Sequence, residues 1–225
     1  MPDSRGTPLW VWPNLLSLDA PIVALAWFFM FERTGRMYVP WNAPLALGLA
    51  VWGVYVLDRI IDLKVLPEGD PKLGRRHDFH KRCLPWAGWL AVFALIASAA
   101  IAGFTMPSGI IPYYGKIVAV LVIAFFVLTI YGMQDREIPV FRNIIAGVTF
   151  GYGTAMAVHS YIFLYEPSQS PWVLLVTPEM LAFAFLCVLN ISAIHFWENS
   201  RRSSDLETKA QNDLALPIPA TALAA

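Results

Sequence analysis

Two aspartates stand four residues apart at the end of a long apolar stretch. Asp58 and Asp62 lie in the segment VYVLDRIIDLK, residues 54–64. In a helix, residues at this spacing project from the same face. Proteins hold Mg²⁺ through one or two carboxylates while substrate phosphates complete the coordination shell. The spacing is therefore compatible with a site for Mg²⁺ and a phosphate compound.

Basic side chains follow the pair closely. They are Arg59, Lys64, Lys72, Arg75, Arg76, Lys81 and Arg82, with His77 and His80 among them. Such cations neutralise phosphate charge through charge-assisted hydrogen bonds. Carboxylates and cations beside an apolar segment thus indicate a diphosphate carried on a lipid. The alternative is a solvated loop in which Asp58 and Asp62 pair with Arg59 and have no further role.

A second polar group ends the last apolar segment, in CVLNISAIHFWENSRRSSDLE, residues 187–207. It contains Asn190, His195, Glu198, Arg201, Arg202, Asp205 and Glu207. We expect it to lie on the same side of a membrane as Asp58 and Asp62, so that two helices supply one site. Glu198 and Arg202 are also four residues apart, and an ordinary ion pair is the alternative.

The composition predicts a membrane protein made of helices. Hydrophobic residues make up 57% of the 225-residue chain and charged residues 14%, which is too apolar for an ordinary soluble domain. Basic and acidic residues balance at 16 each, so no net charge points to nucleic acid. Spanning helices need about 20 mostly apolar residues. Six segments qualify: 11–31, 41–62, 84–104, 110–132, 140–165 and 171–197. We predict an all-α, polytopic transmembrane bundle over residues 1–198, with a tail at 199–225.

The distribution of basic residues orients this bundle. If the N-terminus is cytoplasmic, thirteen of the sixteen Lys and Arg residues fall on the inner side, the exceptions being Arg33, Arg36 and Lys116. Cytoplasmic loops of membrane proteins carry such an excess. We therefore expect a multi-pass protein of a bacterial inner membrane, with the N-terminus and the loop 58–83 in the cytoplasm.

Taken in order along the chain, these features resemble the UbiA family of intramembrane prenyltransferases. That family has an acidic motif after its second helix and another after its sixth; VYVLDRIID and NISAIHFWENSRRSSD stand at those places. The segment NLLSLDAPIVALAWFF, residues 14–29, is similar to the family's first helix. LTIYGMQDREIPVFRNIIAGVTFGYG, residues 128–153, is similar to its junction of helices 4 and 5. The resemblance covers essentially the whole chain.

The resemblance implies Mg²⁺-dependent transfer of a prenyl group from a polyprenyl diphosphate to an aromatic or lipid-like acceptor. Asp58 and Asp62 would be catalytic and would hold the metal, with Glu198 and Asp205 as further ligands. The diphosphate and the departing pyrophosphate would be bound by residues from several segments, namely Lys64, Arg75, Arg76, Lys81, Arg136, Asn190 and Glu198. Membrane lipids would be the surrounding partners, and no nucleic acid is expected.

Two departures from the family pattern favour a different function. Val54 stands where the first motif has Asn, and no Asp follows Glu198 at four residues, since Asp205 comes seven later. A catalytically inactive member that binds lipid or scaffolds a complex is the alternative. A small transporter using Asp58, Asn190 and His159 is a third hypothesis, but its polar groups would be expected near the midplane of the membrane rather than at one face.

Other polar or small residues have ordinary structural explanations. Asp19 is expected to cap a helix or interact with its dipole rather than bind a ligand. His159 is expected to be a hydrogen-bonded packing residue. Gly147, Gly151 and Gly153 are expected to permit close helix packing, with a groove for an isoprenoid chain as the alternative.

The family has nine spanning helices, whereas six are found here. The apolar end LALPIPATALAA, residues 214–225, is the length of about half a span and is expected to begin a seventh helix. We therefore expect a truncated member that is inactive alone. An in-frame continuation with three more apolar segments downstream of Ala225 would support this, and prenyl transfer by the 225-residue form would contradict it.

Overall fold

The computed structural model describes residues 12–65, 75–109, 111–131, 139–166, 168 and 170–202. Within these ranges it describes only the backbone, and not the side chain, of residues 65, 75–85, 111, 139, 171 and 198–202. All regular secondary structure in this part of the chain is helical. The helices are α1 (Trp12–Leu15), α2 (Asp19–Thr34), α3 (Asn42–Val65), α4 (Arg75–Thr105), α5 (Ile111–Tyr131), α6 (Pro139–Tyr165), α7 (Pro171–Leu175) and α8 (Pro178–Arg202).

Four stretches within these helices are long and apolar enough to cross a membrane. They are Asn42–Lys64, Trp86–Thr105, Pro112–Tyr131 and Trp172–Trp197. Large apolar side chains also cover much of the outside of the bundle. On α4, Trp89, Phe93 and Ile96 are 75%, 69% and 62% exposed and lie along one face. So much apolar surface is unfavourable in water, and these features together indicate a membrane protein.

Neighbouring helices run antiparallel, which brings alternate ends together. Gly53 lies beside Ala91, and Gly88 beside Ile60, so α3 and α4 run in opposite directions. The pairs Gly147 with Val188 and Gly151 with Ala184 show the same for α6 and α8. The C-terminal ends of α3, α5 and α8 therefore meet the N-terminal ends of α2, α4 and α6. We call this the carboxylate end, because it contains Asp58 and Asp62.

Helix α6 lies at the centre of the bundle and packs against α2, α3, α5, α7 and α8. Its closest approach is to α8, where a Cβ added at Gly147 would lie 2.5 Å from the backbone N of Val188 and one at Gly151 would lie 3.1 Å from Cα of Ala184. Small residues permit such backbone contact between apolar helices. The packing explanation for these two glycines is confirmed, and Gly153, with Val118 at 3.9 Å, meets only ordinary contacts.

The first and last predicted segments are interrupted by short breaks. The segment 11–31 contains α1 and α2, separated at Ser17, which has φ 59°. In a continuous helix the ring of Pro21 would clash with the carbonyl of Ser17, four residues earlier. Helix α8 likewise begins at Pro178, and the amide N–H of Met180 donates to Thr177 Oγ1 at 3.3 Å as an N-terminal cap. Proline at the first helical position explains the new start.

The predicted cytoplasmic loop 58–83 is mostly helical. Helix α3 continues to Val65 and α4 begins at Arg75. The third predicted segment, 84–104, therefore begins too late, because Pro85 lies inside α4. Arg75, Arg76 and Lys81 therefore occupy the first two turns of α4. The boundaries predicted for the fourth and fifth segments agree with α5 and α6 to within one residue.

The contact at Gly147 gives a stability prediction. Gly147→Ala should destabilise the bundle by about 1–3 kcal/mol, since overpacking a tight contact costs this much and the neighbour is backbone rather than a flexible side chain. Gly153→Ala, in the same helix but with space for a methyl group, should be neutral or stabilising because Ala favours helix over Gly by about 1 kcal/mol. Unfolding in mixed detergent followed by circular dichroism measures both, and equal midpoints would contradict the expectation.

Candidate functional site

Four polar residues occupy one face of α3 at the carboxylate end. Tyr55, Asp58, Arg59 and Asp62 follow the spacing that places side chains on one side of a helix. The side chains of Asp58 and Asp62 are each 16% exposed, and Arg59 is 3% exposed. The two carboxylates thus project into the bundle rather than away from it, and the solvated-loop alternative does not describe these two residues.

Arg142 from α6 joins the two carboxylates. Its Nη2 lies 2.9 Å from Asp58 Oδ1, to which it donates a hydrogen bond, and 3.6 Å from Asp62 Oδ1. Pro139 opens α6, so Arg142 lies in the first turn of that helix, and the antiparallel packing sets this turn beside the end of α3. The guanidinium also lies over the ring of Phe125 at 5.6 Å. The two acids therefore share a cation, and that cation is the protein's own.

A second set of contacts ties α3 to the start of α2. Tyr55 Oη and Asn14 Nδ2 both donate to Asp19 Oδ2, each at 3.1 Å, and Trp52 Nε1 donates to the carbonyl of Leu16 at 2.9 Å. Asp19 lies in the first turn of α2, where the helix dipole favours a carboxylate. Asp19 is therefore not a side-chain cap, since Leu18 is the N-cap residue, but its place in the first turn agrees with the dipole interpretation. The residue also holds the ring of Tyr55.

Arg59 lies over that ring. Its Cζ is 4.2 Å from the ring centroid of Tyr55, a cation–π contact. The guanidinium atoms Nε and Nη2 are buried and have no hydrogen-bond partner among the described residues, and the same holds for Asp19 Oδ1. Nε and Nη2 form one edge of the guanidinium plane, which matches the two oxygens of a carboxylate or phosphate. A buried polar group normally has a partner, so this edge is suited to receive an oxyanion.

Helix α8 ends at the same end of the bundle. It packs against α6, which also packs against α3, so α6 lies between the two acidic segments. Asn190 is exposed, and His195 is partly exposed. Glu198 belongs to the helix, but its side chain lies outside the described part of the structure, as do those of Arg75, Arg76 and Lys81. Arg136 and Asp205 lie outside the described residues altogether, and Lys64 is exposed on the last turn of α3.

The donor set is compatible with Mg²⁺ in a restricted sense. Within the described ranges, no group of three or more His, Cys, Asp or Glu side chains is placed to hold a metal ion. Asp58 and Asp62 provide two carboxylates on one helix face, which is enough for Mg²⁺ when substrate phosphates supply further oxygens. The position between the carboxylates is taken by Arg142, so a metal ion there requires this side chain to move.

His159 lies far from this site. Its Nδ1 is 2.9 Å from Oη of Tyr114, a side chain that is fully buried between α5 and α6. A hydrogen-bonded packing role for His159 is thus confirmed. This pairing also weakens the transporter hypothesis, which needed His159 as part of a polar pathway.

Sequence reasoning did not propose Arg142 or Tyr55 for the site. It mentioned Arg59 among the basic residues that could neutralise phosphate charge and as a possible ion-pair partner of the aspartates. Tyr55 and Arg59 share the α3 face with the aspartates, and the spacing of three and four residues could have identified them. Arg142 is 84 positions from Asp58. Only the prediction of two adjacent antiparallel helices could have paired them.

Comparisons with known proteins add no relative. No protein-family model matches the chain, and neither does any curated protein or solved structure. The resemblance described above stays a hypothesis resting on the residues themselves.

The ion pair can be tested by a double-mutant cycle. Asp58→Asn and Arg142→Gln should each destabilise the protein, and their effects should couple by about 0.5–3 kcal/mol because the two residues are in direct contact. Free energies of unfolding in detergent measure the four forms. Glu179→Gln combined with Arg142→Gln is the control cycle, because Glu179 begins α8 at the opposite end; its effects should add. Additivity in both cycles would exclude a significant ion pair.

Proposed function

We propose that this protein is a membrane-embedded, Mg²⁺-dependent prenyltransferase of the UbiA type, which transfers a prenyl group from a polyprenyl diphosphate to an acceptor. The observation that carries the proposal is the inward-facing pair Asp58 and Asp62 with guanidinium groups from two helices beside it. Carboxylates for a metal ion and cations for phosphate oxygens are what a diphosphate requires. The apolar helices around them suit a prenyl chain.

The diphosphate would lie between α3 and the first turn of α6. Arg59 would donate through its free edge, and Arg142 would donate from the opposite side. Lys64, Arg75, Arg76, Lys81 and Arg136 are further candidates for binding the diphosphate, and Asn190 and Glu198 would contribute from α8. Mg²⁺, held by Asp58 and Asp62 with Glu198 and Asp205 as candidate ligands, would neutralise leaving-group charge.

Catalysis of this reaction requires that the site stabilise the leaving pyrophosphate more strongly as the bond to it breaks. The allylic C–O bond would break with its electron pair passing to the pyrophosphate, whose growing charge the guanidinium groups are placed to meet. The carbon atom would then bond to the acceptor, which loses a proton. Apolar side chains would keep water from the allylic cation. An aromatic ring and a lipid-like head group both fit as acceptor.

The proposal includes a topology. Six helices would span the membrane, namely α2, α3, α4, α5, α6 and α8. The four stretches that are long and apolar enough by themselves account for four of these spans, and α2 and α6 would be the other two. At 16 residues, α2 is about 24 Å long, so α1 would extend it through the membrane interface. The carboxylate end would face the cytoplasm, as the excess of Lys and Arg favours, and the membrane would be a bacterial inner membrane.

One observation favours a second function, a catalytically inactive protein of the same fold that binds or scaffolds lipids. Arg142 already lies against both Asp58 and Asp62, where a metal ion would be held. A diverged member could retain this internal pair as a structural contact and bind an anionic lipid without a metal ion. The two functions differ in whether a divalent cation is required.

A transfer assay decides between them. The wild-type protein is taken as the longest chain that its gene encodes, because the 225-residue form is expected to be inactive alone. It is incubated in membranes with Mg²⁺, radiolabelled prenyl diphosphates of several chain lengths and a panel of acceptors. Wild type should form prenylated product, and Asp58→Asn should lower the rate by at least about a hundredfold, the scale on which loss of an electrostatic catalytic group is felt.

Glu179→Gln is the matched control, because it removes a carboxylate from the opposite end of the bundle. This variant should retain the wild-type rate. Product formation by Asp58→Asn at the wild-type rate would remove the metal role from this residue. Metal-independent binding of the diphosphate by wild type without any product would favour the inactive lipid-binding protein.

A further inference from the structure

Arg59 offers a buried edge that fits an oxyanion, because its Nε and Nη2 have no hydrogen-bond partner among the described residues. Arg142, the second guanidinium group of the site, is paired with Asp58 and Asp62 instead. An anion between α3 and α6 would therefore gain this second guanidinium only if another cation took the place of Arg142 on the carboxylates. The divalent cation of the proposed function is such a cation.

Arg142 stands where that cation would enter. Its Nη2 is within 4 Å of one carboxylate oxygen on each aspartate, 2.9 Å and 3.6 Å. A divalent cation on the same two oxygens would lie within a few ångströms of the guanidinium. A divalent cation and a guanidinium group at such a short distance repel each other strongly, because water screens them only in part. The metal ion and Arg142 in its present position therefore exclude each other.

The two guanidinium groups differ in their freedom to move. Arg59 is 3% exposed and lies against Tyr55, which is itself fixed by Asp19. The Arg142 side chain is 27% exposed, and the residue lies in the first turn of α6. Only Arg142 can exchange partners without disturbing the packing of α3 against α2.

We propose that Arg142 is an internal counterion that pairs with Asp58 and Asp62 when no ligand is bound and transfers to the anionic ligand when a divalent cation takes its place. The cation and the oxyanion then bind cooperatively. The cation frees Arg142 for the anion, and the anion stabilises Arg142 away from the carboxylates. Arg59 is the fixed half of the resulting anion site, and Arg142 is the mobile half. This inference deepens the proposed function, since it concerns the same cation site.

The test uses Mn²⁺ as a probe for the divalent cation. Full-length protein in nanodiscs of zwitterionic lipid is titrated with Mn²⁺, and free Mn²⁺ is measured by electron paramagnetic resonance against empty nanodiscs. Arg142→Gln should bind Mn²⁺ at least about tenfold more tightly than wild type. The reason is that the substitution removes the repulsion between the guanidinium group and the ion. Arg142→Gln with Asp58→Asn should lose this gain, which places the ion on the carboxylates.

Arg33→Gln is the matched control, because Arg33 is exposed in the last turn of α2 at the opposite end of the bundle. It removes the same charge and should leave Mn²⁺ affinity at the wild-type value. Equal affinities for Arg142→Gln and wild type would overturn the proposal. So would an equal gain in Arg33→Gln, which would show only a general effect of net charge.

A second measurement requires only the wild-type protein and stands even if Arg142→Gln fails to fold. Inorganic phosphate, added at fixed concentration, should tighten Mn²⁺ binding to wild type beyond the correction for phosphate complexes of Mn²⁺ in solution, since coupling between two ligands is reciprocal. In Arg142→Gln the gain should be smaller. Unchanged Mn²⁺ affinity of wild type in phosphate would overturn the exchange of partners.

These readouts are separate from catalysis. Tighter Mn²⁺ binding by Arg142→Gln together with no prenyl transfer by any form would support the counterion role and reject the transferase. Transfer by wild type with identical Mn²⁺ affinities in all forms would support the transferase and reject the counterion role.

Discussion

Everything at the carboxylate end depends on neutralising two acids that one helix carries into an apolar bundle. Isolated charges in such surroundings are costly, and a partner within a few ångströms is required. The chain meets this requirement across helices, with Arg142 of α6 against Asp58 and Asp62 of α3. The register between α3 and α6 is consequently restricted, because a shift of one helical turn would move Arg142 by about 5.4 Å and separate the charges.

That register depends in turn on how closely α6 can approach its other neighbours. Gly147 and Gly151 bring the backbone of α6 against α8, and the Tyr114–His159 contact ties α6 to α5. These contacts lie between about one and about five turns from Arg142 along a single helix. Apolar packing alone has little directional preference, whereas small residues and buried hydrogen bonds fix rotation and depth. The polar site is thus positioned by the middle of the bundle.

Sequence reasoning predicted the parts of this arrangement that depend on local periodicity. The apolar segments match the long helices, and the spacing of Asp58 and Asp62 places both on one face. It was wrong about the loop 58–83, because a run of charged residues resembles a loop although helix formers such as Arg and Lys also extend helices. It predicted a continuous first span, although Pro21 opposes one at Ser17. The partner of the aspartates was out of reach, since a contact over 84 positions leaves no local pattern.

The composition of the site argues for ligand binding rather than for stability. A structural ion pair needs one acid and one base, and apolar residues of similar size often serve stability as well or better. Here three carboxylates and two guanidinium groups meet at one end of the bundle, and buried atoms of Arg59 and Asp19 have no hydrogen-bond partner among the described residues. Such atoms reduce stability by about 1–3 kcal/mol each. A chain selected for stability alone would replace Arg59 with leucine or methionine. Keeping a charged group with its free edge inside the bundle is consistent with a polar ligand that pairs with it.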